Sequence, residues 1–422
     1  MRFRTPAANK ESQVGRSGAR LGTRPLGRMA IASMVVLAAV FVLGGCGARD
    51  RGSASQSWSG VAFEGDSAFV GTKDGRVVQI RLLDVGGETI AQLGETFVAP
   101  EAEGGATEPA FYGTPMVADG RLYVGGYHGV AYSIRAAPRA DGGGILEDVR
   151  EFPIDGNPLA EGIAGSVVPA GDALVIAASE DAEKGRLYVL DAGRLNDGLS
   201  AIEVERCRYP ATEPIGQLWT TPTVVDGVAY FGDLSHRVYA VSIANCRLVW
   251  NAPAELGGAI VAPPVVVGGK LYVGAFDRVF YEIDRATGAV RDLFTAEGWF
   301  WAGAATDGRR VYAPSLDGTL HAYDIRDRTV WTYQEGDPQP ILSAPVIVGD
   351  KIVMASDSGT VTLLSAEGSR LDSRLVKAGD PVRAPLTVRG DVVYVHSLDE
   401  IVMALRVDGS RLVPVWDINV SG

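Results

Sequence analysis

Between Phe69 and Tyr394 the sequence states one short phrase eight times. A small residue or proline leads into a few apolar residues and a Gly/Asp turn. An aliphatic–aromatic–aliphatic strand follows, then a second tight turn and another strand. Thr221-Pro222 through Tyr230-Phe231-Gly232 and Pro263-Pro264 through Tyr272-Val273-Gly274 are the clearest copies. A unit this small cannot bury its own apolar face, so copies must stack on one another. The middle residue of the second strand marks each copy: Phe69, Tyr123, Ile176, Tyr230, Tyr272, Tyr312, Val353 and Tyr394. The intervals are 54, 53, 54, 42, 40, 41 and 41 residues. A four-stranded antiparallel blade needs about 40 residues, so the last four intervals are close to minimal and the first three carry insertions.

Lys73-Asp74-Gly75, Leu316-Asp317-Gly318 and Asp357-Ser358-Gly359 lie between apolar runs, where a tight hairpin wants Gly or Asp at positive φ. The runs that follow alternate, as in Arg237-Val238-Tyr239-Ala240-Val241, with the period of two that marks a strand. No sustained helical period follows residue 57. Eight sheets set radially around an axis leave few free edges. The expected fold is all-β, an eight-bladed β-propeller of four-stranded antiparallel blades over residues 58–422.

Residues 1–45 read as an export signal. Arg2, Arg4, Lys10, Arg16, Arg20, Arg24 and Arg28 precede an apolar run from Met29 to Leu43, too short for a comfortable transmembrane helix. Leu43-Gly44-Gly45-Cys46 resembles the bacterial lipobox, which implies that Cys46 becomes the lipidated first residue. Residues 46–57, polar and without apolar periodicity, read as a flexible tether. The whole chain carries a formal charge of −12, and removing residues 1–45, with seven basic residues and one acid, leaves −18. Such a body disfavours nucleic acid and anionic lipid as partners. Its expected place is the cell membrane or outer membrane, lipid-anchored and facing the periplasm or exterior.

Tyr281-Glu282-Ile283-Asp284 through Gly288, and Ala240-Val241-Ser242 through Cys246 to Trp250, resemble the Ala-x-Asp-x-x-x-Gly-x-x-x-Trp motif of quinoprotein-like (PQQ-like) propeller repeats. Ala322-Tyr323-Asp324 through Trp331 is a copy one residue short. In that family the tryptophan of one blade packs on the glycine position of the next. The resemblance covers roughly residues 58–416. A lipobox followed by eight such repeats is also the layout of the propeller lipoprotein of the machinery that assembles outer-membrane β-barrels. Cys207 stands where the third blade should have its docking tryptophan, and Cys246 stands at the glycine position of the fourth. The resemblance therefore implies a Cys207–Cys246 disulfide, in keeping with an exported protein.

The family name raises quinone chemistry, but the chain has no adjacent cysteine pair and little length beyond eight blades. Its Asp and Glu residues fall mostly in turns, where Asp is favoured by the backbone. His128, His236, His321 and His396 fall in alternate blades and show no metal-ligand spacing. No catalytic residue, metal or cofactor is expected. Phe111, Tyr112, Tyr127, Trp219, Trp299, Phe300 and Trp301 fall in lead-in segments and turns that a propeller gathers at one mouth of its channel. Large amphipathic rings there suit a contact surface, and Arg383, at the equivalent place in blade 8, is expected to add a polar anchor. The expected function is a lipid-anchored, non-catalytic protein-binding scaffold for an envelope partner, in outer-membrane protein assembly or envelope organisation. The alternatives are a quinone-dependent alcohol or sugar dehydrogenase and a small-molecule or glycan-binding sensor.

Overall fold

The computed structural model describes residues 59–100, 109–138, 144–153, 162–181 and 183–421. The signal segment, Cys46 and the tether to residue 57 lie outside them. Each repeat closes on itself as a sheet of sequential antiparallel strands, and there are eight such sheets among the described residues. Blade 1 runs from Val61–Glu64 through Ser67–Gly71 and Arg76–Val85 to Glu88–Val98. Blade 8 ends the series with Thr387–Arg389, Val392–His396, Ile401–Asp408 and Arg411–Asn419. The chain is an eight-bladed β-propeller. Blade 4 splits its outer strand into Arg247–Leu248 and Ala254–Glu255, both paired with Arg237–Ser242.

The first strands are short and the second strands buried, because the second strand is covered by a blade on each side. Val228–Gly232, Lys270–Gly274 and Val392–His396 are each buried over four consecutive residues. Apolar packing is divided accordingly. The buried residues fall into eight clusters, each filling the gap between two neighbouring blades. The cluster of blades 4 and 5, for example, joins Tyr230, Ala240 and Trp250 to Leu271, Val273 and Ile283.

Two details depart from the expectation. The third blade carries two short helices, Ala192–Asn196 and Ala201–Val204, between its third and fourth strands. They are too short for helical periodicity to register, and capping holds them: Asp191 accepts from the Arg194 N–H, and Ser200 with Glu203 forms a capping box. In blade 3, Val168 of the first strand faces Val175, which shifts the repeat marker by one residue from Ile176.

The tryptophan latch of the repeats is present. A Cβ on Gly288 would lie 2.9 Å from the Trp250 indole, and one on Gly368 would lie 2.6 Å from Trp331. Both glycines sit at positive φ, +77° and +84°. Trp250 Nε1–H also donates to the Arg285 carbonyl at 2.9 Å, tying blade 4 to blade 5. At the corresponding seam of blades 3 and 4, Cys207 and Cys246 have Cα atoms 5.9 Å apart and sulfurs in contact. Cys246 keeps the glycine conformation, with φ +51°.

Candidate binding face

Each lead-in segment delivers two adjacent side chains to the mouth of the propeller, and alternation sends them in opposite directions. Phe111 and Phe300 are the inward members. They are 0% and 1% exposed and belong to the clusters between blades 1 and 2 and between blades 5 and 6. The expectation that they line a binding face is therefore corrected. Room for them comes from glycines that end the second strand of the preceding blade. A Cβ on Gly71 would stand 2.6 Å from the Phe111 Cβ, and one on Gly274 would stand 2.2 Å from that of Phe300. Gly125 and Gly232 make the same room for Ile163 and Ile260.

Tyr112, Trp219 and Trp301 are the outward members and are half-buried. The structure gathers the rings into two groups. Tyr112 and Tyr127 meet edge to face at 5.0 Å on blade 2. On blades 4 to 6, Phe276 is sandwiched between Trp299 and Trp301, at 5.2 and 5.7 Å with interplanar angles of 14° and 27°. Trp219 then stands edge-on to Trp301 at 6.4 Å. Trp219 and Trp301 come from blades two apart, and they meet because the same position in blade 5 is Val261. The backbone pins this row: Phe276 N–H donates to Ala259 O at 3.0 Å and Leu316 N–H to Trp299 O at 2.9 Å.

Carboxylates flank the row. Asp317 accepts the N–H groups of Glu297 and Gly298 at 3.0 and 2.8 Å, bracing the loop that carries Trp299. Burial pushes the Asp317 carboxyl up, but the hydrogen bonds of Thr319 and Gly298 outweigh it and hold the group below the usual range. Asp277, beside Phe276, accepts the Tyr281 hydroxyl and the Val279 N–H.

Arg383 is not a free anchor. It is 7% exposed, and its Nε and Nη2 reach the two oxygens of Asp357 in blade 7 at 2.7 and 3.2 Å. A buried guanidinium needs such a fork–fork partner, so this position, equivalent to Trp301, ties two blades together.

Three of the four histidines are buried. His128 lies 2.7 Å from the Tyr132 hydroxyl, and burial pulls its pKa down to about 4. His321 stacks on Phe294 at 5.0 Å, also with a pKa lowered by burial. His396 links Ser59 O and Glu400 at 2.8 Å each, at the seam of blades 8 and 1. Among the described residues no three His, Cys, Asp or Glu side chains come together in a way that could hold a metal ion.

The family model described as outer membrane protein assembly factor BamB matches residues 216–417. Over 197 residues the chain is 25% identical to the outer membrane protein assembly factor BamB of Alkalilimnicola ehrlichii, covering 44% of this chain and about half, 51%, of that protein. It is 24% identical to BamB of Yersinia pestis over 72% of this chain and 70% of that one. A lupanine 17-hydroxylase of Pseudomonas sp. is 28% identical over 38% of this chain and 25% of its own length. Among solved structures, BamB from Moraxella catarrhalis superposes with a TM-score of 0.61 over 82% of this chain and 96% of that chain, at 18% identity, a likeness of fold. By fold the chain is an eight-bladed β-propeller, with repeats that resemble the PQQ-like ones. BamB is among the propellers it is similar to.

Proposed function

We propose that this protein is a lipid-anchored, extracytoplasmic scaffold that holds another envelope protein on one face, in outer-membrane protein assembly, without chemistry of its own. The observation that carries the reading is the set of half-buried tryptophans packed around Phe276 at the mouth, on a fold whose relatives include assembly factors over most of the chain. Large rings in a concavity supply contact area at little cost in side-chain entropy. The anchor is Cys46, and the Cys207–Cys246 pair is oxidised once the chain is exported. The test is deletion of the gene, with quantification of β-barrel proteins in the outer-membrane fraction. Their depletion, restored by the intact gene, is expected; unchanged barrel levels would sink the proposal.

Similarity to the hydroxylase favours a second reading, oxidation of a small molecule with bound quinone, although it covers a quarter of that enzyme. Protein purified from cells supplied with the quinone separates the two: quinone absorbance that survives gel filtration would support the enzyme.

A further inference from the structure

The scaffold reading leaves open what sits on the ring row, and the charges and geometry around it limit the answer. The loops that carry the rings hold Asp277 and Glu297 against Arg278, and Asp317 braces one of them from the adjacent turn. Glu297 is exposed and Asp277 half-exposed. An indole beside a carboxylate suits arginine, whose planar guanidinium stacks on a ring while its edge reaches an oxygen. Span gives the shape. The rings come from blades 4, 5 and 6, so a segment that covers the row crosses three blades in an extended form.

The position of the row limits where its occupant comes from. Ser59 enters blade 1 beside the end of the second strand, its Oγ accepting the Gly71 N–H at 3.0 Å. Phe300, next to Trp299 and Trp301, meets Gly274 at the same end of blade 5. Ser59, the first described residue, therefore lies at the face that carries the rings. Residues 46–58 span about 45 Å at full extension, so a protein lipidated at Cys46 keeps this face near the bilayer. The carboxylates disfavour an anionic lipid surface as the occupant.

We infer that the Trp219–Trp301–Phe276–Trp299 row is a docking site for an extended, arginine-bearing segment of a membrane-associated protein. This rests on the scaffold reading and names the chemistry of its partner.

The test uses the full folded body with its cystine oxidised and two short peptides, leucine alternating with arginine or with glutamate. Binding is followed by tryptophan fluorescence and calorimetry at low and high salt. The arginine peptide should bind about ten-fold or more tighter than the glutamate peptide and weaken with salt. Trp219→Ala and Glu297→Lys should each weaken it about five-fold or more while the melting temperature stays with the parent. Equal affinity for the two peptides, insensitivity to both variants, preference for phosphatidylglycerol vesicles, or self-association through this face would overturn the inference. If barrel assembly still depends on the gene while the arginine peptide fails, the docking chemistry is wrong and the scaffold reading stands.

Discussion

The seam between blades 3 and 4 allows a quantitative test, because there a covalent pair stands where neighbouring blades use a ring. Cys207→Ser removes the link between residues 39 apart in sequence. The chain-entropy treatment of a loop that long gives about 4 kcal/mol. Unfolding entropy near 2.1 cal/mol/K per residue, over the propeller's roughly 360 residues, turns this into a fall in melting temperature of about 5 °C. Scanning calorimetry of the exported protein, oxidised and reduced, checks the value. Cys207→Ser, Cys246→Ser and the double variant should fall by the same amount, since each breaks one bond, and reduction should add nothing further to any of them. Cys246→Gly should lose about 1 kcal/mol less than Cys246→Ser, because residue 246 sits at φ +51°, where a side chain costs about 1–2 kcal/mol. Cys207→Trp with Cys246→Gly rebuilds the latch seen at Trp250 and Gly288 and should recover part of the loss. Additive single variants, a reduced protein as stable as the oxidised one, or two titratable thiols in the oxidised protein would refute the reasoning.

Gly368→Ala should destabilise by about 2 kcal/mol or more, since its Cβ would lie 2.6 Å from Trp331 at φ +84°; urea midpoints measure it. His128 takes up a proton in the unfolded chain near pH 6.5 but in the folded protein only near pH 4. Its contribution is whole above pH 6.5 and is lost as pH falls towards 4, up to about 3 kcal/mol. His128→Gln should flatten stability against pH across that window; an unchanged slope would show that His128 protonates freely when folded. Cys46→Ser should leave export intact and abolish lipid labelling and membrane partition, whereas a retained label would remove Cys46 as the anchor.

The architecture was legible because each level of the sequence agreed: period-two runs, Gly/Asp turns and a repeat near 40 residues long all require stacked sheets. The mouth was legible in position and partly wrong in detail. Phe111 and Tyr112, or Phe300 and Trp301, are neighbours in sequence, and composition does not say which of two adjacent rings turns inward. The signal lay elsewhere, in Gly71 and Gly274, whose missing Cβ atoms make room for the inward ring. Arg383 was placed correctly but its role was not legible, because its partner Asp357 lies one blade away. Phe276, the centre of the ring sandwich, carries no signal of its own in the sequence, because packing across two blades is what sets it between the two tryptophans.

The closure between blades 8 and 1 is the seam that the chain itself does not run across. Among the described residues no strand crosses it to complete a neighbour's sheet; an apolar cluster with side-chain and end contacts holds it. His396 reaches Ser59, Glu400 accepts the Lys73 N–H at 3.0 Å, and Arg389 lies 5.3 Å from the centre of the Phe63 ring. Val420 N–H donates to Glu400 O, and Val420 O accepts from Arg76. Both ends of the folded chain thus flank the turn at Thr72–Arg76, and the ring has no structurally privileged first blade. A chain joined from Val420 to Ser59 by a short Gly/Ser link, and opened at the exposed Gly268-Gly269 turn, keeps every sheet but blade 5 uncut. In that permutant the blade 8–blade 1 contacts become an ordinary interior seam. Loss of ring closure then falls on blade 5, so the order in which blades come apart is set by where the chain is cut as much as by which blade packs best.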